Sequence, residues 1–137
     1  MRSAQCHALM PMMQFSVAPW RVLDETHLAA IKKAVALREQ KTGVIMRLAA
    51  HGAETGEPMM RHMEYVFPNQ GFADVKDQFM LGDSILVAPM LEKGQASRSV
   101  LIPKGRWKAD DGKEIKGPAK IVINVPLNRL PYFERIK

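Results

Sequence analysis

The sequence predicts an α/β segment followed by an all-β segment within a chain of 137 residues. A long stretch with helical spacing of apolar residues lies between two short apolar runs, which is the order strand, helix, strand. In the second half the apolar runs are short and turn residues separate them, which is typical of antiparallel sheet. The first half therefore predicts part of a parallel α/β structure, and the second half predicts a β-sandwich or part of one.

The first predicted strand covers Met12–Ser16, within an almost unbroken apolar run that ends at Pro19. A strand that is apolar on both faces suits a parallel sheet that is covered on both sides. Pro11 has no N–H to donate to a strand ladder, so the strand is not expected to begin before it.

A long helix is predicted next. Asp24 is an N-cap candidate, as are Glu25 and Thr26, and negative charge in the first turn favours a helix. Gly43 predicts a kink or two helices in line, and Gly52 is the predicted left-handed cap, with Gly56 as the alternative. The residues at helical spacing on one face are Leu28, Ile31, Ala34, Val35 and Arg38.

A second strand is predicted over Pro58–Pro68, which is apolar and aromatic and has turn residues on both sides. The order strand, helix, strand predicts two parallel strands joined by a right-handed crossover. A short helix is predicted over Phe72–Met80.

The remaining chain predicts antiparallel strands joined by tight turns. The predicted strands are Ser84–Ala88, Arg98–Ile102, Lys120–Val125 and Leu130–Glu134. The predicted turns are Glu92–Gly94, Pro103–Gly105 and Asp110–Gly112.

Composition is that of a folded globular protein, with 47% hydrophobic and 25% charged residues. The net charge of +6 is spread along the chain and aromatic residues make up only 7%, so a nucleic-acid partner is not predicted. No apolar run approaches the roughly 20 residues that span a bilayer, so no membrane partner is predicted. The single cysteine, Cys6, has no disulfide partner, and no ligand spacing predicts a metal site or a cofactor.

Four segments, in order along the chain, resemble glycoside hydrolase family 31, which contains α-glucosidases and α-xylosidases. Ala8–Arg21 is similar to the family's seventh barrel strand and its exit, and Gly56–Pro68 to its eighth strand. Gln78–Met90, which reads Gln-Phe-Met-Leu-Gly-Asp-Ser-Ile-Leu-Val-Ala-Pro-Met, is the most specific match, and Val100–Trp107 follows it.

The resemblance implies the last strands and helix of a (β/α)8 barrel over residues 1–75 and the start of the proximal C-terminal β-sandwich over residues 76–137. It implies a retaining α-glycosidase that hydrolyses terminal α-glucosyl or α-xylosyl bonds, with an oligosaccharide or α-glycoside as substrate and no cofactor. Retention requires two carboxyl groups about 5–5.5 Å apart. The family's two aspartates belong to earlier barrel strands and neither motif occurs here, so the isolated chain is expected to be inactive.

The candidate substrate-binding residues follow from the same resemblance. Many family members carry a histidine after the seventh strand that bonds the sugar, and here that position reads Gln14-Phe15-Ser16, without histidine. Active sites of such barrels lie at the carboxyl ends of the strands. Phe15, Ser16 and Trp20 are therefore the predicted sugar contacts, although Phe15 and Trp20 also suit core packing.

Two further possibilities stay open from the sequence. The β-half could be a non-catalytic carbohydrate-binding or structural module, for which only Trp107, Tyr132 and Phe133 offer aromatic faces. The barrel part is expected to expose apolar surface, which predicts either a homo-oligomer or an ill-ordered first half. The sequence does not indicate a compartment.

Overall fold

The computed structural model describes residues 1–136, which form three α-helices, one 3-10 helix and six strands. The helices are α1 (Arg2–Ala8), the 3-10 helix (Pro19–Arg21), α2 (Glu25–Thr55) and α3 (Met63–Val66). The strands are β1 (Met60–His62), β2 (Phe79–Leu81), β3 (Ile85–Val87), β4 (Ser97–Ala109), β5 (Glu114–Asn124) and β6 (Tyr132–Ile136).

Helix α2 confirms the predicted helix and its N-cap. The Asp24 carboxylate accepts the His27 main-chain N–H at 2.9 Å, which satisfies one of the free donors of the first turn. The helix runs through Gly43 without interruption and ends at Gly56, whose φ of 79° gives the left-handed cap. The preferred end at Gly52 was therefore wrong. Gly52 is needed for a close approach instead, because a Cβ there would lie 2.8 Å from the Glu57 carbonyl oxygen.

The predicted strand Met12–Ser16 is not formed. These residues are irregular and mostly exposed, and no strand among residues 1–136 runs beside them to complete a ladder. Helix α1 precedes them and was not predicted, because it lacks a side-chain N-cap bond and acidic residues in its first turn. Ala8 and Leu9 at its end are fully buried, so packing stabilises it rather than capping.

The predicted strand Pro58–Pro68 is correct only over Met60–His62. The His62 ring nitrogen accepts the Glu64 N–H and the chain turns into α3. The predicted helix Phe72–Met80 is also wrong, because Phe79–Leu81 is strand β2 and pairs with β1 on one side and β3 on the other.

The six strands form one sheet in the order β1-β2-β3-β6-β4-β5, and every pairing is antiparallel. The antiparallel part of the sequence prediction is confirmed, whereas the predicted parallel pair is wrong. The predicted turn Asp110–Gly112 joins β4 to β5. The predicted turn Pro103–Gly105 lies inside β4, where the register shifts between Ile102 and Gly105.

The sheet separates two hydrophobic cores. Because successive side chains of a strand point to opposite faces, Met80 and Leu86 enter one core while Leu81, Ile85 and Val87 enter the other. The first core contains Trp107 and Phe133 and lies under the long β4–β5 hairpin. The second core joins the sheet to α1 and α2, and it includes Ala8, Leu9, Ala34 and Ile45. This second core holds the helical part against the sheet.

Candidate functional site

A cavity of about 420 Å³ lies where α1, the irregular segment after it and α2 meet. Helix α1 contributes Ser3, Ala4 and His7, and α2 contributes Ile31. The irregular segment contributes Met12, Met13, Gln14 and Phe15, and Met1 completes the lining. The wall is therefore mostly apolar with a few polar groups, which is the usual character of a small-molecule site.

The three predicted sugar contacts lie along one stretch of chain. Phe15 lines the cavity and its side chain is 39% exposed. Ser16 is exposed beside it, and Trp20 follows on the 3-10 helix with 72% exposure. Ser16 and Trp20 do not line this cavity, so the structure brings together Phe15 and Gln14 rather than the predicted trio.

Arg38 holds the start of this stretch. Its guanidinium donates to the Met10 carbonyl oxygen at 2.7 Å and to the Pro11 carbonyl oxygen at 2.9 Å. It also lies within 3.3 and 3.4 Å of the carbonyl oxygens of His7 and Ala8 at the end of α1. The sequence placed Arg38 on the apolar face of α2 and gave it no role. The one sequence feature that could have indicated a role for it is the presence of a charged residue at an apolar-face position.

The other end of α1 is fixed to the sheet region. Arg2 donates to the Val125 carbonyl oxygen at 2.8 Å and to that of Pro126 at 3.2 Å, and burial lowers the pKa of its guanidinium. Buried Gln5 donates to the Leu127 carbonyl oxygen. The segment that lines the cavity is thus connected to the sheet through α1.

No carboxylate lines the cavity, and many acidic side chains of residues 1–136 have structural partners elsewhere. Asp24 caps α2, and Asp110 makes a bidentate pair with Arg129 at 2.7 Å on each oxygen. Other carboxylates pair with basic residues across strands or elements: Asp77 with Arg98, Asp83 with Arg61, Glu114 with Arg106 and Glu134 with Lys41.

Glu64 falls within the predicted strand Pro58–Pro68, and its position there predicts a structural ion pair with Arg61 or with a neighbouring helix. It lies instead in the first turn of α3 and accepts the main-chain N–H groups of Asn69 and Phe72 at 2.6 and 3.1 Å. Arg61 pairs with Asp83 and Glu57. Glu64 therefore binds main-chain N–H groups, and the expected ion pair is not formed among the described residues.

The aromatic residues available to a binding module of the β-half lie mostly inside the fold. Trp107 and Phe133 are fully buried, and Tyr132 is half-buried. The Trp107 ring N–H donates to the Pro103 carbonyl oxygen at 2.9 Å. Neither Trp107 nor Phe133 presents a face to a ligand in solution.

Within residues 1–136, no group of three His, Cys, Asp or Glu side chains has the arrangement of a metal site. None of the described helices combines the length and the apolar character that crossing a bilayer requires.

Comparison with known proteins identifies the family. Residues 56–136 match the model described as the glycosyl hydrolase family 31 C-terminal domain. The chain belongs to glycoside hydrolase family 31. The matched residues contain all six strands of the sheet, so the sheet is the part of the molecule that carries the family match.

Relatives of family 31 match most of this chain but are much longer. The mouse "Myogenesis-regulating glycosidase" is 34% identical over 92% of this chain, which spans 18% of that protein. A family 31 α-xylosidase from a soil metagenome, solved with xylose, is 29% identical and superposes with a TM-score of 0.88 over 98% of this chain and 24% of its own. An uncharacterized protein of Listeria monocytogenes, solved with α- and β-D-glucose, magnesium and calcium, is 30% identical, with a TM-score of 0.92 over 98% of this chain and 14% of its own. The chain therefore spans less than a quarter of the length of these relatives.

Proposed function

We propose that this chain acts as the C-terminal part of a longer retaining α-glycosidase that hydrolyses terminal α-glucosyl or α-xylosyl bonds. In this proposal residues 1–75 are the end of the (β/α)8 catalytic barrel and residues 76–137 are the start of the proximal β-sandwich. The observation that carries it is the close superposition on the α-xylosidase, which includes the helical first half as well as the sheet. The glucose complex of the Listeria protein supports glucosyl as well as xylosyl substrates.

The chemistry of retention belongs to another part of such an enzyme. Two carboxyl groups about 5–5.5 Å apart flank the glycosidic bond, one as nucleophile and one as acid and base. The cavity beside Phe15 offers no carboxylate, and the chain has no side chain there that could replace one. The role proposed for this chain is to form one wall of the sugar site and to support it.

Phe15, Ser16 and Trp20 are proposed as the sugar contacts of that wall. The exposed rings of Phe15 and Trp20 can stack on the apolar face of a sugar ring, and the Ser16 hydroxyl can donate or accept a hydrogen bond. Gln14 lines the same cavity and adds an amide with two donors and one acceptor. The matching segment Gln14-Phe15-Ser16 has no histidine, so contacts to the sugar are expected to differ from those of many family members.

Exposed apolar side chains along the same stretch form a surface that another protein chain could cover. Met12, Phe15, Val17, Trp20 and Val22 are between 39% and 72% exposed. We propose that the isolated chain associates with itself through them, because contiguous exposed apolar surface usually drives association. Sedimentation velocity over a hundredfold concentration range tests this, and a single monomeric species throughout would contradict it.

The proposed function is tested by titrating the isotope-labelled chain with methyl α-D-xyloside and methyl α-D-glucoside. We expect saturable shifts of the main-chain amides of Gln14, Phe15 and Ser16 and of the Trp20 indole, with the sheet unchanged. Methyl β-D-xyloside is the matched control and should bind more weakly. Shifts that cluster on β4 and β5 instead would favour the alternative of a carbohydrate-binding module. Absence of any shift would contradict the proposed contacts.

A further inference from the structure

We propose that Arg38 is a positioning residue, which fixes the sugar-facing segment Met12–Ser16 relative to helix α1. The inference rests on the proposed function, because it concerns the same wall of the sugar site. It is independent of which sugar binds there.

The partners of Arg38 are unusual for a half-buried charge. Such a charge normally pairs with a carboxylate, and within residues 1–136 Arg38 makes no ion pair. It donates only to main-chain carbonyl oxygens, those of His7, Ala8, Met10 and Pro11. A guanidinium is well suited to this role because its planar fork offers several donors in fixed directions.

These carbonyls join two parts of the chain. His7 and Ala8 end α1, where the last carbonyls have no partner within the helix and carry its negative dipole end. Met10 and Pro11 immediately precede the cavity-lining residues. The Met10 main-chain N–H also bonds the His7 carbonyl oxygen at 3.1 Å, so Met10 is tied to the helix end twice, whereas among the described residues Pro11 is tied through Arg38.

Beyond Pro11 the segment has few other restraints. Among residues 1–136, no hydrogen bond involves the main chain of Met12–Ser16. The Arg38 bonds to Met10 and Pro11 are the last polar restraints before Phe15. Loss of Arg38 is thus expected to release the segment while the cores on either side of the sheet remain packed.

The role requires the fork and not only the charge. Nη1 bonds the Met10 oxygen and Nη2 bonds the Pro11 oxygen, and a lysine ammonium in one place cannot reproduce both bonds with the same geometry. Arg38→Lys should therefore behave between wild type and Arg38→Met.

The test measures 15N relaxation order parameters of the chain and three variants, Arg38→Met, Arg38→Lys and the control Arg47→Met. Arg47 is exposed on the same helix and makes no hydrogen bond or ion pair within residues 1–136. Order parameters of Met12–Ser16 are expected to fall from about 0.85 in the wild type to below about 0.6 in Arg38→Met, and to stay unchanged in Arg47→Met. The sheet and α2 should keep their values in all four proteins.

Three results would overturn the inference: a segment that is already mobile in the wild type, a segment that stays ordered in Arg38→Met, or a loss of order that spreads equally through α2 and the sheet. If Arg38→Met does not fold, the order parameters of Met12–Ser16 in Arg38→Lys test the inference instead. Wild-type order parameters in that variant would overturn it.

The sugar titration separates this inference from the proposed function. With methyl α-D-xyloside, Arg38→Met is expected to weaken binding at least tenfold and Arg47→Met to leave it unchanged. If the segment loses order in Arg38→Met but the wild type binds neither glycoside, the positioning role is supported and the proposed sugar contacts fail. If Arg38→Met binds as the wild type does, the positioning role fails and the sugar contacts are supported.

Discussion

Replacing Trp107 by phenylalanine should destabilise the fold although it keeps an aromatic ring. The indole is fully buried, it packs edge-on against Phe67 at 6.1 Å between ring centroids, and its N–H donates to the Pro103 carbonyl oxygen at 2.9 Å. Phenylalanine has no donor, so the buried Pro103 oxygen loses its partner at a cost of about 1–3 kcal/mol. The smaller ring also buries less apolar surface, which adds about 1 kcal/mol.

The expected loss is therefore about 2–4 kcal/mol in the free energy of unfolding, a large part of the ~5–15 kcal/mol typical of a domain. Urea unfolding followed by far-ultraviolet circular dichroism measures this loss, and the m value is expected to be the same as in the wild type. Trp20→Phe is the matched control, since the chain has two tryptophans and Trp20 is 72% exposed. That variant should stay within about 0.5 kcal/mol of the wild type. Equal, small effects at both positions would refute the assignment of Trp107 to the core.

Three further predictions concern backbone fit, pH and thiol reactivity. Gly117→Ala should lower the free energy of unfolding in urea by at least about 3 kcal/mol, because the new Cβ would lie 1.9 Å from a main-chain oxygen of β4. The control Gly112→Ala lies in open space at a φ of 86° and should lower it by about 1–2 kcal/mol. Equal losses in the two variants would contradict this. Hydrogen bonds from His27 hold the pKa of the Asp24 carboxyl below its usual 3.8. The carboxylate therefore stabilises α2 fully above pH 3.8, and this stabilisation is lost as the pH falls through the lower pKa of the native state. Asp24→Ala should remove that part of the acid transition followed by circular dichroism, and an unchanged transition would refute the role of Asp24. Burial raises the pKa of the Cys6 thiol above 9.0, so alkylation by iodoacetamide at pH 8 should be slower than that of a free cysteine peptide, and an equal rate would contradict this.

Local features of the sequence were enough to predict helix α2. Asp24 supplies the N-cap, and the apolar residues recur at helical spacing. The exact end depended on the chain beyond the helix, because Gly52 and Gly56 are both suitable caps and only the return of the backbone past Gly52 distinguishes them.

The errors lie where an apolar run has more than one possible partner. Met12–Ser16 has the composition of a buried strand, yet a strand requires a neighbour that local sequence does not specify. The spacing of apolar residues in Phe72–Met80 fits one face of a helix, but pairing with β1 and β3 makes its last residues a strand. In the second case strand pairing outweighed local preference, and in the first case no neighbouring strand is present among the described residues.

The candidate site was predicted through the family resemblance and only in part. Phe15, Ser16 and Trp20 were placed at the rim of a barrel, and the structure shows Phe15 at a cavity and Trp20 exposed. The dependence of this stretch on Arg38 could not be read from spacing, because its partners are main-chain carbonyls 27 to 31 residues away. Every residue has a main-chain carbonyl, so the residue types at the partner positions do not indicate this contact.

A chain that supplies a wall and a support for the sugar site, without the reacting carboxylates, should not hydrolyse glycosides by itself. Incubation of the purified chain with 4-nitrophenyl α-D-glucoside and 4-nitrophenyl α-D-xyloside measures this. Nitrophenol is expected to be released at the rate of the buffer blank at every chain concentration. A rate above the blank that rises in proportion to the chain, and that a second purification does not remove, would contradict it.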